Sequence, residues 1–209
     1  MEDKFFIGIL SHAKSEKRSS QKKIWDNLNS PNLIYYYFIG DPNIDSNYII
    51  DEENKVVTLK VPDNYESLAL KTKGIVEFYL ENYSQTTKGM FKTDDDISVD
   101  PELIYGMLKE NSEAPYFGLE VDIVNPYNST WHWGKCESAY WNSKHVTVSQ
   151  CKYCAGGGYY IKSDIAISMK DKIDLYNDFI FEDVATGNVL NSLGIYPTNI
   201  DVKNNGLNW

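Results

Sequence analysis

The sequence predicts an α/β fold, a mostly parallel sheet flanked by helices, formed as one domain over residues 1–209. Three observations carry this. Short runs rich in β-branched and aromatic residues alternate with amphipathic stretches of helical period, the pattern of strand–helix–strand units. The 209 residues are 42% hydrophobic and 14% aromatic, enough to bury a core and too apolar for a disordered chain. Three aspartates, Asp94 to Asp96, follow a short apolar run. Ligands of parallel sheets gather there, beyond the carboxyl ends of strands.

Phe5–Leu10 is a six-residue apolar run, too short for a signal-peptide core, and reads as the first strand. Ser15 to Leu28 has helical spacing through Ile24, Trp25 and Leu28. "LIYYYFIG" is a strand closed by Gly40, and "KVVTLKV" is another. "NYESLALKTKGIVEFYLENY" places Leu68, Thr72, Ile75, Tyr79 and Tyr83 near a 3.6-residue period and reads as a long amphipathic helix. "GMFKT" is a strand leading into the aspartates. Asp100 and Pro101 then form the N-cap and first turn of the next helix. "YFGLEVDI" and "HVTVS" read as strands. "GGGYYIKSDIAISM" reads as strand, cap at Ser163, and helix. "FEDVATGNVLNSLGI" reads as a helix entered at the acidic pair and stopped by Gly194.

A net charge of −10 argues against a nucleic-acid or anionic-membrane binder, which needs a basic face. No apolar stretch approaches the roughly 20 residues of a membrane span. Three cysteines are no disulfide framework, so a soluble, cytoplasmic protein is expected. Cys151 and Cys154 form a C-x-x-C pair, but zinc needs about four ligands. They read as two strand or loop cysteines.

Two like-charged carboxylates about 6–7 Å apart on an extended strand repel by on the order of 2–3 kcal/mol at an effective dielectric near 20. In an extended backbone Asp94 and Asp96 share one side and Asp95 takes the other. A divalent cation reverses that cost, and oxygen-only ligation selects Mg²⁺ or Mn²⁺ together with substrate phosphates. An EF-hand is excluded because Val99 and Tyr105 stand where Gly and Glu are required. Glu182 and Asp183 alone fit the ordinary preference of a helix start for acids. Gly156, Gly157 and Gly158 permit close backbone approach to a ligand or, equally simply, a bulge.

Taken in order, these segments resemble the β-1,3-galactosyltransferase family, inverting enzymes of GT-A (Rossmann-like) fold that take sugar from a UDP-sugar. The resemblance runs from Ile7 to Ile195. "SHAKSEKRSSQKKIW" is similar to a family segment with Ser11, Arg18, Lys22 and Trp25 at the matched places. "DNYESLALKT" is similar to a helix start carrying Asp63, Tyr65, Leu68, Lys71 and Thr72. "KTDDDISV" is similar to the metal motif, "YCAGGGYYIKS" to a Gly-Gly segment, and "EDVATG" to the acidic helix start.

The resemblance implies roles. Asp96 would hold the Mn²⁺ or Mg²⁺ that bridges the donor diphosphate. Asp94 and Asp95 would lie toward the ribose or around the metal, so that Asp94 joins Asp96 in the metal set. Ser11, Arg18, Asp63 and Lys71 would lie near the nucleotide, and Gly156 to Gly158 near the donor sugar. Asp183 would be the general base for the acceptor hydroxyl, supported by Glu182. The implied reaction is transfer of galactose or N-acetylglucosamine, among hexoses and N-acetylhexosamines, to a glycan or glycosylated acceptor in a β-1,3 linkage. A non-catalytic nucleotide-sugar-binding protein and a UDP-sugar hydrolase are the alternatives.

Four features depart from the family pattern. No membrane anchor or stem is recognisable. The histidine ligand that family enzymes place beyond the Glu-Asp-Val motif is missing, since His12, His132 and His145 all precede it. Lys22 replaces a second arginine and loses bidentate capacity. The family's disulfide cysteines are not evident. In the loosely similar middle segment, Trp131, Trp133 and Trp141 could stack on an acceptor sugar or simply pack.

Overall fold

The computed structural model describes residues 3–27 and 32–208. The first half contains β1 (Phe5–Leu10), α1 (Arg18–Asn27), β2 (Leu33–Gly40), β3 (Tyr48–Asp51), β4 (Val56–Leu59) and α2 (Leu68–Asn82). The middle holds β5 (Gly89–Asp94), β6 (Ser98–Val99), α3 (Pro101–Asn111), β7 (Tyr116–Ile123), β8 (Tyr127–Ser129) and β9 (Val146–Val148). The chain closes with β10 (Cys151–Lys162), α4 (Ser163–Ser168), α5 (Glu182–Ser192), β11 (Thr198–Asn199) and β12 (Leu207–Asn208). Leu28, expected at the end of the first helix, lies outside the described residues.

One eight-stranded sheet, in the order β11-β7-β10-β5-β1-β2-β4-β3, forms the centre. β1 is parallel to both β2 and β5, and β2 is parallel to β4. All six residues of β1 are buried, as a central strand covered on both faces requires. Alternation sends Phe6 and Leu10 to the face under α2, α4 and α5, and Phe5, Ile7 and Ile9 to the face that packs with Trp25 of α1 and Ile104 of α3. Because β1, β2, β4 and β5 run the same way, their carboxyl ends open on one edge, where the candidate site forms.

Parallel pairing is not uniform. β10 is antiparallel to β5 and β7, and β3 to β4. β7 and β10 pair as a long antiparallel hairpin whose connection, residues 124–150, carries the small β8–β9 ladder. The β3 strand lies at the sheet edge with Ile49 and Ile50 exposed, so it lacks the apolar alternation that marks the buried strands.

Asp100 caps α3 as expected, accepting from the Glu102 and Leu103 amides with Pro101 behind it. Ser163 is not the cap of α4: it is the first helical residue, and its hydroxyl donates to Ser84 O at 2.5 Å. Cys151 and Cys154 are buried strand residues of β10 in two different apolar clusters. Among the described residues no helix is long and apolar enough to cross a membrane.

Candidate active site

The register of β1 on β5 sets Leu10 beside Asp94, so the residues that follow each strand meet. The Asp95 amide donates to Leu10 O at 3.0 Å, and Ser11 Oγ donates to Asp95 Oδ2 at 2.5 Å. The strand ends at Asp94 and the chain turns through Asp95 and Asp96, so side-chain alternation does not continue through the triplet. Asp95 is buried against Ser11, while Asp96 is exposed and, among the described residues, makes no hydrogen bond.

Asp63 fastens three segments together. Its carboxylate accepts from the Ala13 amide at 2.7 Å, the Gly40 amide at 3.0 Å and Lys71 Nζ at 3.0 Å. Lys71 is buried and donates also to Ser11 O at 2.9 Å. Burial pushes the Asp63 carboxyl up, but the amides and Lys71 outweigh it and hold it below the usual aspartate range. Arg18 turns back on its own loop, donating to His12 O at 3.0 Å and Ala13 O at 3.5 Å. Lys22 pairs with Asp26 one helical turn on.

Lys92 opens the "KTDDDISV" segment, and the motif reading gave it no role. It stands two places before Asp94 on a central strand, fully buried. Its ammonium donates to Glu182 Oε1 at 2.6 Å and Gly156 O at 2.7 Å. It also stands 2.7 Å from Asp94 Oδ1 as an ion pair, off the angle of a hydrogen bond. One cation thus joins the aspartate run, the glycine run and the acidic helix start. Burial pushes its pKa down, but Asp94 and Glu182 reverse this and raise it. A lysine inside the apolar run "GMFKT" was the available signal, because a lysine is almost never fully buried unless paired.

The glycines serve this junction. Thr93 Oγ1 donates to Gly157 O at 2.9 Å, and the pairing of β10 is irregular between Cys154 and Tyr159, so the run is a bulge inside a strand. A Cβ on Gly156 would stand 2.5 Å from Glu182 Oε1, and one on Gly158 would strike Leu207 in the core at 2.3 Å. Gly158 is therefore required by packing, whereas Gly156 is required by the carboxylate.

Glu182 begins α5 and is fully engaged: Tyr159 donates to Oε2 at 2.9 Å, and the Tyr159, Tyr176 and Thr186 hydroxyls form a buried chain beneath it. Burial raises its pKa, with Lys92 opposing. Enclosure likewise raises Asp94, although 30% of its side-chain surface stays open to the cleft. Asp183 accepts the Val184 amide at 2.8 Å, and burial raises its carboxyl. A carboxylate so placed is a stronger base than an exposed one. Tyr65 faces Asp183, Glu182 and Asp94 together, and burial and these charges push it up to about 12.

Two cavities meet at this helix start. One of about 460 Å³ is lined by Ser11, Asp63, Lys71, Asp94 to Asp96 and Glu182. The other, about 590 Å³, is lined by Asp183, Phe181, Tyr153, Tyr127 and Trp131. A third of about 640 Å³ continues from the first past His12, Asp63 and Gly40. A cavity of about 840 Å³ between α2 and the β3–β4 hairpin touches none of the expected residues. Arg18 lines none of these four.

Of the three tryptophans, Trp131 is 71% exposed and shares a cavity with Asp183. Trp133 donates to Lys144 O at 3.0 Å and meets His145 edge-on; Trp141 packs edge-on with His132 and Tyr140. His132 is fully buried between Trp141 and Phe181, and of the histidines only His12 lines the cavity of the aspartates. Among the described residues no three His, Cys, Asp or Glu side chains converge as a metal set. Asp96 and the part of the Asp94 carboxylate that stays open, beyond the Oδ1 paired with Lys92, nonetheless present hard oxygen donors, close enough that Asp96 helps raise Asp94. This fits a cation whose remaining ligands come from substrate phosphates and water.

Fold and site together define an α/β domain that gathers carboxylates at the ends of parallel strands and at one helix start, on two cavities that flank that helix start. The chain belongs to the galactosyltransferase family, whose model it matches over residues 16–201. It is similar to β-1,3-galactosyltransferase 1 of Mus musculus and of Homo sapiens, each 25% identical over 223 aligned positions. Those alignments cover 98% of this chain and 64% of the relatives, so the chain spans less than two thirds of their length. It is also similar to hydroxyproline O-galactosyltransferase GALT5 of Arabidopsis thaliana, 26% identical, over 87% of this chain and 28% of that protein. Among solved structures, 4-diphosphocytidyl-2C-methyl-D-erythritol synthase aligns with a TM-score of 0.49 at 11% identity, covering 96% of this chain and 90% of that one. A glycosyltransferase involved in the glycosylation of the major capsid of PBCV-1 aligns with a TM-score of 0.48 at 16% identity, covering 93% and 82%. The expected α/β sheet with its parallel centre and the expected membership of a galactosyltransferase family are both borne out.

Proposed function

We propose that this protein is an inverting, metal-dependent glycosyltransferase that moves a hexose or N-acetylhexosamine, galactose first, from a UDP-sugar to an acceptor hydroxyl, forming a β-1,3 linkage. The observation that carries this reading is the divergence of Glu182 and Asp183. Adjacent in sequence, they line different cavities, the first shared with the aspartate triplet and the second with Trp131. Donor and acceptor thus have separate rooms that meet at one helix start.

In this reading the donor diphosphate occupies the aspartate cavity and the nucleoside extends past Asp63 into the neighbouring one. Asp96 and Asp94 would hold Mn²⁺ or Mg²⁺, which would supply positive charge to the leaving diphosphate. Asp183 takes the proton of the acceptor hydroxyl as that oxygen attacks the anomeric carbon and the bond from that carbon to the diphosphate breaks. Glu182, held by Lys92 and Tyr159, fixes the start of α5 and so the position of Asp183. Trp131 offers its exposed ring to the apolar face of an acceptor sugar.

Incubation with Mn²⁺ and a panel of UDP-sugars, with UDP release measured with and without glycan acceptors, tests this. Release that rises with an acceptor is expected. No release from any donor overturns transfer in favour of a binding protein. Release indifferent to every acceptor makes the protein a hydrolase.

A further inference from the structure

The cavity that holds the aspartate triplet has an unbalanced lining. Asp63, Asp94, Asp95, Asp96, Glu137 and Glu182 face it, against only two lysines, Lys71 and Lys135. Lys71 is committed to Asp63 and Ser11 O, and Lys92, just behind, to Glu182, Asp94 and Gly156 O. Lys135 differs. Among the described residues its ammonium has no carboxylate or carbonyl partner; it stands 3.8 Å from the centre of the Trp131 ring and 5.5 Å from that of Tyr65. Ring faces hold a cation but accept no strong hydrogen bond, so N–H donors remain for a ligand.

The backbone that carries Lys135 is fixed. Glu66 accepts the Glu137 and Ser138 amides at 3.1 and 3.0 Å, tying the segment to the residues that precede α2. Asn142 accepts the Gly134 amide at 2.9 Å and donates to Cys136 O at 2.7 Å. The lysine is thus pinned on both sides and stacked on two rings, one of which, Trp131, belongs to the cavity of Asp183.

We infer that Lys135 binds the sugar-linked phosphate of the donor and is the protein's own cation for the departing diphosphate. This rests on the donor reading proposed above. The location follows from the two cavities. The anomeric carbon reacts where they meet, so the phosphate attached to it lies nearest that boundary, and the phosphate attached to the ribose lies deeper. Lys135 is the uncommitted cation at the boundary.

The test is calorimetric binding of UDP, UMP and uridine in Mn²⁺ buffer to the wild type, Lys135→Ala and Lys135→Arg. One charge-assisted contact predicts a loss of about 10-fold in UDP affinity for Lys135→Ala. UMP and uridine affinity should stay within about 2-fold, and Lys135→Arg should recover most of the UDP loss. Unchanged UDP binding in Lys135→Ala overturns the inference, as does an equal loss for UMP, which would place the lysine elsewhere or make its role purely structural. A wild type that binds none of the three instead removes the donor reading itself. Lys135 is exposed, so Lys135→Ala should keep the wild-type melting temperature.

Discussion

Replacement of Lys92 by methionine isolates the junction on which the candidate site is built. Methionine keeps most of the volume and the apolar stem but removes the charge. Glu182 then loses a 2.6 Å partner, Asp94 a 2.7 Å partner, and Gly156 O its donor at 2.7 Å. Removing one partner of a buried ion pair costs about 3–5 kcal/mol, because the remaining charge is left uncompensated. Asp94 keeps 30% of its side-chain surface open and recovers part of its hydration, which favours the lower end, about 3 kcal/mol. For a domain of this size that lowers the melting temperature by about 6–12 °C.

The effect carries a pH signature. Burial raises the folded-state pKa values of both Asp94 and Glu182 above their unfolded values. Folding therefore disfavours their charged forms, and this penalty is relieved as pH falls through the raised folded-state values. Without Lys92 the rise is larger. The gap between Lys92→Met and wild type is widest at pH 7 and narrows toward pH 5. Urea unfolding followed by tryptophan fluorescence at both pH values measures it. Adding Glu182→Gln to Lys92→Met should restore part of the loss, since the residues are in direct contact. A variant as stable as wild type at pH 7, or a gap that does not narrow with acid, would refute the reasoning.

Other substitutions separate chemistry from support. Asp183→Asn should lower transfer by roughly 10²–10⁴-fold while UDP affinity, read by calorimetry, survives. Because burial raises Asp183 and the base must be deprotonated, activity should fall with acid above the ordinary aspartate range near 4; a kcat/KM profile flat down to pH 4 would contradict this. Asp96→Ala should weaken UDP binding in Mn²⁺ and leave uridine binding alone, and unchanged UDP affinity would remove Asp96 from the metal set. Gly156→Ala puts a Cβ 2.5 Å from Glu182 Oε1, a carboxylate held by Lys92 and Tyr159. Overpacking there should cost about 1–3 kcal/mol and lower the melting temperature by about 2–12 °C, measured by thermal unfolding.

The sequence made the buried frame legible through hydrophobic runs and period, helped in places by end signals. β2, β5, α3 and α5 combine apolar runs with a glycine, an acidic start or a proline at an end, whereas β1, β4 and α2 are marked by the apolar run or helical period alone. It did not reveal β3, because an exposed edge strand lacks a one-sided apolar pattern, nor β11 and β12, which are two residues each. Of β10 the sequence showed the half that begins at the glycines; the glycines are a bulge within a continuous antiparallel strand that starts at Cys151. For the site, motifs named the acids and two of their partners, Ser11 and Lys71, but gave Lys92, Tyr159 and Tyr65 no role. Lys92, Tyr159 and Tyr65 acquire meaning only through contacts at long sequence separation, such as Lys92 with Glu182, 90 positions apart. Pairing of that kind leaves no local period to read.

The partners also sort the acids. Asp63 is answered by two amides and Lys71, Asp95 by Ser11, and Asp94 and Glu182 by Lys92. In a chain of net charge −10, two lysines and these hydrogen-bond donors offset part of the charge of the four carboxylates and fix the strand ends. Asp96 and Asp183 are left with no cation in contact among the described residues, and each lines a different cavity. A carboxylate not consumed by the fold is available to a ligand, whether to hold a cation or to accept a proton. The proposed division between leaving group and nucleophile matches which charges the protein has already satisfied. Substituting Asp63, Asp95 or Glu182 should act through stability, substituting Asp96 or Asp183 through binding or rate, and substituting Asp94, both paired and open to the cleft, through both.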